Sequence, residues 1–264
     1  MPSLATAAGD KPISYRDHCH SLRNDSHIHP CVYGDPNGAI TIALFGDSHA
    51  AQWLPGLIPP AKAKGWRIVV LTKSGCPSAR LSFQDLTPGD EVSCNQWRRR
   101  AIVWIGSHLP DVVLVANSRG YVLLDASGLP LPPAESALEW TRGLEETLGS
   151  LPSASKAVVR TDIPRFQKDI PACLSAHLDR ISACVLARSM AIDQSHIDAE
   201  TAAAADTGAT LANLNGVVCP YDPCPVIVGH FEMWRDGAHL TATYARQLAP
   251  SVGAMVSGVL APAP

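Results

Sequence analysis

A serine near the start of the chain and an Asp-x-x-His pair near its end are the residues best placed by type and spacing to do chemistry. Ser48 follows the apolar run 41–46 in the sequence Gly-Asp-Ser-His, and Asp236 precedes His239 by three positions. A serine hydroxyl is a poor nucleophile until a base removes its proton, and the base needs a partner that fixes its tautomer. His239 is the candidate base and Asp236 the candidate partner, which is the chemistry of serine esterases and acyltransferases.

The prediction depends on the two segments together, because each alone is weak. A serine in a Gly-Asp-Ser-His turn often does no more than cap a helix. We expect Asp47 to brace this turn and cap the next helix, whereas His49 either touches substrate or is satisfied by local backbone. The Asp-x-x-His spacing puts both side chains on the same side of one turn, so a single loop can deliver base and partner.

Five short apolar runs predict the strands that position these side chains. The predicted strands are Ile40–Phe45, Arg67–Thr72, Asp111–Ala116, Lys156–Thr161 and Thr210–Asn213. Helix-like stretches lie between them, and Thr241 is a natural N-cap for a last helix after His239. The other predicted helices are Ala51–Lys64, Asn95–Ser107, Ala134–Leu148 and Ser175–Asp206.

Near-continuous apolar strands that alternate with helices indicate a parallel sheet covered on both faces. The sequence therefore predicts an α/β protein with three layers, α/β/α: a flavodoxin-like, doubly wound sheet of about five parallel strands in one catalytic domain, residues 39–260. The polar residues 1–38 are expected to form a disulfide-pinned N-terminal extension packed on that domain. Residues 215–235 are expected to form a long loop, and residues 261–264 a disordered tail.

The composition of the 264 residues excludes several classes of function. With 46% hydrophobic residues the chain can build a sizeable core, and its net charge of −3 gives no electrostatic footprint for nucleic acid. The longest basic run, 98–100, is expected to lie on a solvated helix face. No segment approaches the roughly 18 consecutive apolar residues of a membrane span, and residues 1–11 lack the features of a secretory signal.

Eight cysteines in four sequence-local pairs predict disulfides. The pairs are Cys19–Cys31, Cys76–Cys94, Cys173–Cys184 and Cys219–Cys224. Because no C-x2-C knuckle occurs, a zinc cluster is disfavoured, and the histidines at 18, 20, 27 and 29 are expected in a solvated, irregular arm rather than around a metal. Disulfides imply an extracytoplasmic, oxidising compartment, so we expect this chain to be the exported piece of a larger protein. The alternative is a cytosolic enzyme with reduced cysteines.

Three sequence blocks resemble the SGNH (GDSL-type) hydrolase superfamily, and specifically the extracytoplasmic SGNH domains fused to membrane acyltransferase-3 proteins. The blocks are Phe-Gly-Asp-Ser-His-Ala-Ala-Gln-Trp at 45–53, Thr-Lys-Ser-Gly-Cys-Pro at 72–77 and Asp-Gly-Ala-His-Leu-Thr at 236–241. The segment 162–174 also fits these fused domains. The resemblance extends over roughly residues 15–258.

The resemblance implies a role for each matched position. The triad would consist of the nucleophile Ser48, the base His239 and the acid Asp236. The backbone N–H groups of Ser48 and Gly75 would form an oxyanion hole, with the side-chain amide of Asn117 as a third donor. The match at Asn117 is partial, because residues 115–118 read Val-Ala-Asn-Ser where the family usually has Gly-x-Asn-Asp.

The residues around these blocks supply candidates for lining the substrate site, namely His49, Arg119, Tyr121 and Trp234. The implied chemistry needs no metal and no organic cofactor. The acyl donor would be presented by a fused or partner membrane acyltransferase domain, and the chain would be tethered to the membrane through a membrane domain that precedes it.

Two reactions can use the same triad. In the first, an O-acyltransferase forms an acyl ester, expected to be acetyl, on Ser48 and passes it to a hydroxyl of a cell-envelope or secreted glycan. In the second, water attacks the acyl-enzyme instead, which makes the protein a carbohydrate or small-ester esterase. A third possibility is a glycan-binding module without catalysis, which the intact Ser48, Asp236 and His239 disfavour.

Overall fold

The computed structural model describes residues 4–84 and 87–261, and its strands form one seven-stranded sheet and one small ribbon. The strands of the sheet are β1 (His20–Ser21), β2 (Cys31–Gly34), β3 (Ile40–Gly46), β4 (Trp66–Lys73), β5 (Val112–Ala116), β6 (Lys156–Arg160) and β7 (Thr210–Ala212). The ribbon consists of β8 (Ile227–Val228) and β9 (Phe231–Glu232). Each of the five predicted strands is present, with ends that differ from the prediction by at most one residue.

The sheet has the predicted topology. Its order is β1-β4-β3-β5-β6-β7, and β2 also pairs with β4. All neighbours are parallel except β2, so the five predicted strands follow the 2-1-3-4-5 order of a flavodoxin-like sheet. Alternate residues of β3 enter different cores, Leu44 on one face and Phe45 on the other. Both faces are covered, which confirms the three-layer α/β/α prediction.

The N-terminal extension does more than pack on the domain, because it adds two strands to the sheet. β1 pairs with the carboxyl end of β4, and β2 runs antiparallel to residues 67–70 of the same strand. Cys19 and Cys31, beside these strands, are joined in a disulfide. An apolar strand such as β4 would otherwise expose a row of unpaired backbone groups at the sheet edge. The sheet therefore has seven strands rather than about five.

Helices flank the sheet on both faces. They are α1 (Ile13–Arg16), α2 (Ser48–Ala51), α3 (Leu54–Lys64), α4 (Pro88–His108), α5 (Pro133–Gly149), α6 (Ile170–Ala176), α7 (Arg188–Ala191), α8 (Gln194–Thr207), α9 (Asn215–Val218), α10 (Ala242–Gln247) and α11 (Ala249–Leu260). The predicted single helix over Ser175–Asp206 is wrong, because α6, α7 and α8 occupy this region. A disulfide closes the turn between α6 and α7, and the Asp193 side chain caps α8 by accepting from the backbone N–H of His196.

The end of the chain follows the prediction more closely. The Thr241 side chain caps α10 and accepts from the backbone N–H of Tyr244. The segment 215–235, expected to be a loop, contains α9 and the β8–β9 ribbon. Of the expected disordered tail, residues 262–264 lie outside the described residues. Within the described ranges, no helix has both the length and the apolar character needed to cross a membrane.

All four expected cysteine pairs are disulfides in the structure. The Cys76–Cys94 bond ties the segment after β4 to α4, and the Cys219–Cys224 bond closes a small ring ahead of the β8–β9 ribbon. Disulfides persist in oxidising compartments, so these four bonds indicate an extracytoplasmic protein.

Candidate active site

The structure brings Ser48, His239 and Asp236 into one chain of hydrogen bonds. The Ser48 hydroxyl lies 2.9 Å from Nε2 of His239, and Nδ1 of His239 lies 2.8 Å from Oδ2 of Asp236. Because an ionised carboxylate only accepts hydrogen bonds, Nδ1 carries the proton and Nε2 is the acceptor for the serine O–H. This is the tautomer that a general base needs in order to take a proton from serine.

The loop that carries Asp236 and His239 is held by its own hydrogen bonds. Oδ1 of Asp236 accepts from the backbone N–H groups of Ala238 and His239, both at 2.7 Å. The side-chain carbonyl of Gln52 accepts from the backbone N–H of Leu240 at 3.0 Å. Since Gln52 directly follows α2, this bond connects the loop to the helix that begins at the serine. The two halves of the triad are therefore fixed relative to each other.

The surroundings of His239 keep its imidazole in the uncharged form. Burial and the charge of nearby His49 lower the pKa of His239 to about 4, although Asp236 opposes the shift. Burial alone would raise the pKa of Asp236, but its hydrogen bond to His239 and the charge of that ring hold it well below the usual range. At neutral pH the imidazole is therefore uncharged and the carboxylate ionised, as proton transfer from serine requires.

Strand register places three potential hydrogen-bond donors at one edge of the sheet. Gly46 of β3 is paired with Thr72 of β4 on one side and with Ala116 of β5 on the other. Ser48, Gly75 and Asn117 each lie one to three residues beyond these paired positions. Because parallel strands all end at the same edge, the three residues lie at the edge where α/β proteins hold their ligands.

Gly75 has the backbone conformation expected of a tight turn at a site. Its φ of +59° lies in the left-handed region, which favours glycine. A Cβ added there would lie 2.8 Å from Nη2 of Arg23, so the Arg23 guanidinium packs directly against this position. The backbone conformation is what favours glycine at residue 75, since the guanidinium lies at the end of a flexible side chain that can move away.

Asn117 is held by one end of its carboxamide. Oδ1 accepts from the backbone N–H of Ser78 at 2.7 Å and from the Ser78 hydroxyl at 3.0 Å. The side chain is buried, and Nδ2 has no hydrogen-bond partner among the described residues. A buried amide with a fixed carbonyl and an unused N–H2 is a ready donor for an incoming oxyanion.

Comparison with known protein families identifies the family of the chain. A family model described as "SGNH domain (fused to AT3 domains)" matches residues 18–253. The chain belongs to this family. None of the curated proteins matches the sequence.

A solved structure shares the fold of this SGNH domain. The periplasmic domain of a lipopolysaccharide acetyltransferase from Salmonella ser. Paratyphi A is similar with a TM-score of 0.61 and 19% sequence identity, over 84% of this chain and 85% of that chain. A carbohydrate esterase family 2 enzyme with a carbohydrate binding domain, from Corynascus thermopiles (Myceliophthora fergusii), has a TM-score of 0.47 and 14% identity, over 85% of this chain and 68% of that chain.

Asp47 braces the serine turn of the SGNH domain, as expected from its position. It caps α2 by accepting from the backbone N–H of His49 at 2.7 Å. Its other oxygen accepts from the backbone N–H of Ser118 at 2.8 Å and from the Tyr121 hydroxyl at 2.6 Å. Tyr121, a candidate for lining the substrate site, thus has its hydroxyl occupied by Asp47. Tyr121 therefore supports the serine turn through its hydrogen bond to Asp47.

The side chain of His49 is buried and paired with an acid that sequence reasoning missed. Its Nδ1 lies 2.5 Å from Oδ1 of Asp162, and the two side chains are 4% and 2% exposed. Burial would lower the pKa of His49, but the Asp162 carboxylate raises it. The other Asp162 oxygen accepts from the backbone N–H of Arg119 at 2.8 Å. The available signal was that Asp162 begins the segment 162–174, which resembles the family.

The remaining two candidates for the substrate site differ in their surroundings. Trp234 is fully buried, its indole N–H donates to the Pro225 carbonyl at 3.1 Å, and its ring packs against Phe166. The expectation that it lines the site is wrong, because it packs in the core. Arg119 is mostly buried, and its guanidinium donates to the Ala191 carbonyl at the rim of a cleft.

Three histidines of the extension contact polar side chains of the described residues. His20 is buried rather than solvated, and its ring contacts the hydroxyls of Thr72 and Ser74, each at 2.9 Å. His27 and His29 both contact Asp25. The clustered ligand types at 173, 177 and 184 include two cysteines, but these are joined in a disulfide and offer no thiolate.

Proposed function

We propose that this domain transfers an acyl group to a glycan hydroxyl through an ester on Ser48. The observation that carries the proposal is the continuous chain Asp236–His239–Ser48, together with the unpartnered Nδ2 of Asn117 at the carboxyl edge of the sheet. A nucleophile, a base in the correct tautomer and an anion site are the parts that acyl transfer requires.

The first half of the reaction forms the acyl-enzyme. Oγ of Ser48 attacks the carbonyl carbon of the acyl donor while Nε2 of His239 takes its proton. The backbone N–H groups of Ser48 and Gly75 and the amide of Asn117 stabilise the resulting oxyanion. The tetrahedral intermediate then collapses, the bond to the donor's leaving group breaks, and that group takes the proton from His239. The acyl group remains as an ester on Ser48.

The second half of the reaction regenerates the serine. Nε2 of His239 takes the proton of a sugar hydroxyl, whose oxygen attacks the acyl carbon of the Ser48 ester. The same oxyanion site stabilises the second tetrahedral intermediate. When this intermediate collapses, Ser48 leaves and takes the proton from His239, and the sugar carries the new ester. Asp236 keeps the imidazole oriented in both halves and stabilises its protonated form.

The family supports the choice of donor, since its SGNH domains are described as fused to AT3 domains. A fused or partner membrane acyltransferase domain would present the acyl group on the extracytoplasmic side and tether this domain to the membrane. The structurally similar domain from Salmonella belongs to a lipopolysaccharide acetyltransferase, which supports acetyl as the acyl group and a cell-envelope glycan as the acceptor.

Hydrolysis is the second candidate function, and the exposure of the triad favours it. The side chains of His239 and Asp236 are 19% and 36% exposed, so water can approach the base. Water would replace the sugar hydroxyl in the second half of the reaction, with every residue in the same role. The outcome depends on whether a bound acceptor excludes water from the acyl-enzyme.

Intact mass spectrometry tests the proposal directly. The protein is incubated with 4-nitrophenyl acetate, with and without oligosaccharide acceptors, and compared with Ser48→Ala and with Ser153→Ala, an exposed serine before β6. We expect an acetyl adduct in the wild type and in Ser153→Ala but not in Ser48→Ala. Faster loss of the adduct with acceptor than without it supports transfer, and equal loss supports hydrolysis. Absence of any adduct contradicts both.

A further inference from the structure

A polar cleft opens at the carboxyl edge of the sheet. Its volume is about 910 Å³, within the range of ligand-binding clefts. Asn213 and Asn215, which follow β7, form one side of the cleft, and Arg119, which follows β5, lies on its rim. The cleft therefore occupies the side of the sheet on which Ser48 lies.

Two side chains of the cleft are buried and have unused hydrogen-bonding capacity. Asn215 is 3% exposed, yet neither its Oδ1 nor its Nδ2 has a partner among the described residues. Nε of Arg119 is buried in the same way and also lacks a partner within the described ranges. Burying polar atoms without hydrogen bonds is costly, so a donor and acceptor set of this kind is suited to a polar ligand.

A short series of contacts connects this cleft to the base. The backbone N–H of Arg119 donates to Asp162 at 2.8 Å, Asp162 lies 2.5 Å from the His49 ring, and this ring lies 4.5 Å from that of His239. Only two side chains, those of Asp162 and His49, separate Arg119 from the base. The rim of the cleft at Arg119 is therefore linked to the base through this buried pair.

The charges lining the cleft are balanced. Arg119 lies 3.5 Å from Asp193, and Asp222 accepts from the backbone N–H of Arg188 at 2.8 Å. Two arginines and two aspartates give no net attraction for an anionic ligand. Carboxamides and paired charges instead match a ligand with several neutral hydroxyl groups, each of which both donates and accepts hydrogen bonds.

From this geometry we infer that the cleft is a subsite for an uncharged sugar ring of the acyl acceptor. The Asn215 carboxamide accepts from one sugar hydroxyl and donates to another, and Nε–H of Arg119 donates to a further oxygen. The identity of the sugar as acceptor rests on the proposed function, whereas binding of a sugar in the cleft does not require catalysis.

NMR titration of the 264-residue chain tests this subsite. The probes are the methyl glycosides of glucose, galactose, mannose and rhamnose, at up to about 100 mM so that weak binding is detected. We expect at least one of them to shift the Asn215 side-chain amide and the Arg119 Nε–H signals, and methyl glucuronoside to shift them less. No shift at either group with any neutral glycoside overturns the subsite. An equal effect of the uronide overturns its assignment to uncharged sugars.

Substitutions in the cleft test whether the glycoside binds there. Asn215→Ala should weaken binding of the same glycoside about fivefold, the effect of one net hydrogen bond. Asn37→Ala, in the turn before β3, should leave it unchanged. If Asn215→Ala does not fold, the exposed Asn213→Ala should show a smaller loss of affinity. Unchanged affinity in every folded cleft variant contradicts the inference.

The failure of this inference is distinguishable from failure of the proposed function. Ser48→Ala should bind the glycoside as tightly as the wild type, because Ser48 lies outside the cleft. Sugar binding without any acetyl adduct on Ser48 would contradict acyl transfer and leave the subsite standing. An adduct with no sugar binding in the cleft would contradict the subsite alone.

Discussion

The imidazole of His49 lies against that of His239, with ring centroids 4.5 Å apart and ring planes inclined by 53°. Asp162 holds the far side of the His49 ring at 2.5 Å, so a second His–Asp pair is buried behind the first. Two protonated imidazoles at this distance would repel each other. A proton held on His49 by Asp162 therefore disfavours protonation of His239 and keeps the base free.

This arrangement predicts that kcat/KM stays high to an unusually low pH. The His239 pKa of about 4 lies below its ordinary value, so the free base persists as the pH falls and is lost only near pH 4. We expect kcat/KM for 4-nitrophenyl acetate to decline only below about pH 4. His49→Gln removes the neighbouring charge and should move this decline to higher pH. Arg235 also lowers the His239 pKa and remains in the variant. The pKa read from the acid side of the profile should therefore stay below the ordinary value for histidine.

The Asp162→Asn variant tests whether protonated His49 lowers the His239 pKa. Without the Asp162 carboxylate, His49 loses the negative charge that holds its proton. The acid side of this variant's pH profile should move in the same direction as that of His49→Gln. The groups that face His49 from the other elements are Asp47, Arg165 and His239 itself, and none of them is changed. An equal loss of kcat/KM at every pH would indicate that the pair has only a structural role.

Replacing the acid of the triad should cost activity without unfolding the protein. Asp236→Asn keeps a side-chain oxygen for the backbone N–H groups of Ala238 and His239 but favours the wrong imidazole tautomer. We expect kcat to fall by roughly 10⁴, the effect seen when a triad aspartate is replaced in this way. Asp206→Asn, an exposed position on α8, is the matched control. Activity within tenfold of the wild type in Asp236→Asn would remove Asp236 from the mechanism.

The amide of Asn117 should contribute to the transition state rather than to binding. Asn117→Ala removes the unpartnered Nδ2 donor, and we expect kcat to fall roughly 10²- to 10³-fold with little change in KM. The substitution also removes two hydrogen bonds from Ser78, and Ser78→Ala is the control for the one that the hydroxyl donates, since the backbone N–H is kept. A loss of kcat in Ser78→Ala as large as that in Asn117→Ala would assign the effect to packing.

Sequence reasoning succeeded where the determining interactions are local. Each central strand is a continuous apolar run bounded by turn residues, and Thr241 caps α10 with its own side chain, so both were predictable. Ser48 and Asp236 were predictable because sequence blocks mark them. Ser48 lies at the carboxyl edge of the sheet, whereas Asp236 lies in the loop after the antiparallel β8–β9 ribbon, and His239 connects the two through its ring nitrogens.

The failures share a different physical origin, because each depends on contacts between distant parts of the chain. Asp162 is paired with His49 from 113 positions away. β1 and β2 have only two and four residues, and they are strands because β4 has an open edge beside them. Trp234 looks available from its place in a loop, but the loop folds over it and buries it completely.

Glu232 should make the stability of the domain depend on pH. Burial and the charge of Asp169 raise its pKa to about 7, and neither of its side-chain oxygens has a partner among the described residues. The folded protein thus binds a proton that the unfolded chain releases near pH 4.5, so stability should fall as the pH rises from about 4.5 through about 7. In Glu232→Gln there is no ionised carboxylate to bury at high pH, so this loss of stability should be absent.

The measurement for Glu232 is the midpoint of thermal unfolding at pH 5 and pH 8. Glu232→Gln should unfold at a higher temperature than the wild type at pH 8, and the difference should shrink at pH 5. Glu91→Gln, an exposed position in the first turn of α4, should lack this pH dependence. A constant difference at both pH values would show that Glu232 does not change its protonation on folding.

The Cys76–Cys94 disulfide should support both stability and catalysis, because Cys76 directly follows Gly75. The bond links residues 18 positions apart, whereas the Cys219–Cys224 bond links residues 5 apart. In the chain-entropy account, loss of the longer cross-link costs about 3 kcal/mol and loss of the shorter one about 2 kcal/mol. Replacing both cysteines of each pair with alanine and measuring urea unfolding should reproduce this order.

The same two double variants separate stability from catalysis. Cys76→Ala with Cys94→Ala should also lower kcat under conditions where the protein is fully folded, because the turn that presents the Gly75 N–H loses its attachment to α4. The acetyl adduct on Ser48 should then form more slowly while its stoichiometry stays unchanged. If this variant is folded and its kcat equals that of the wild type, the Gly75 turn keeps its geometry without the disulfide, and the bond contributes to stability alone.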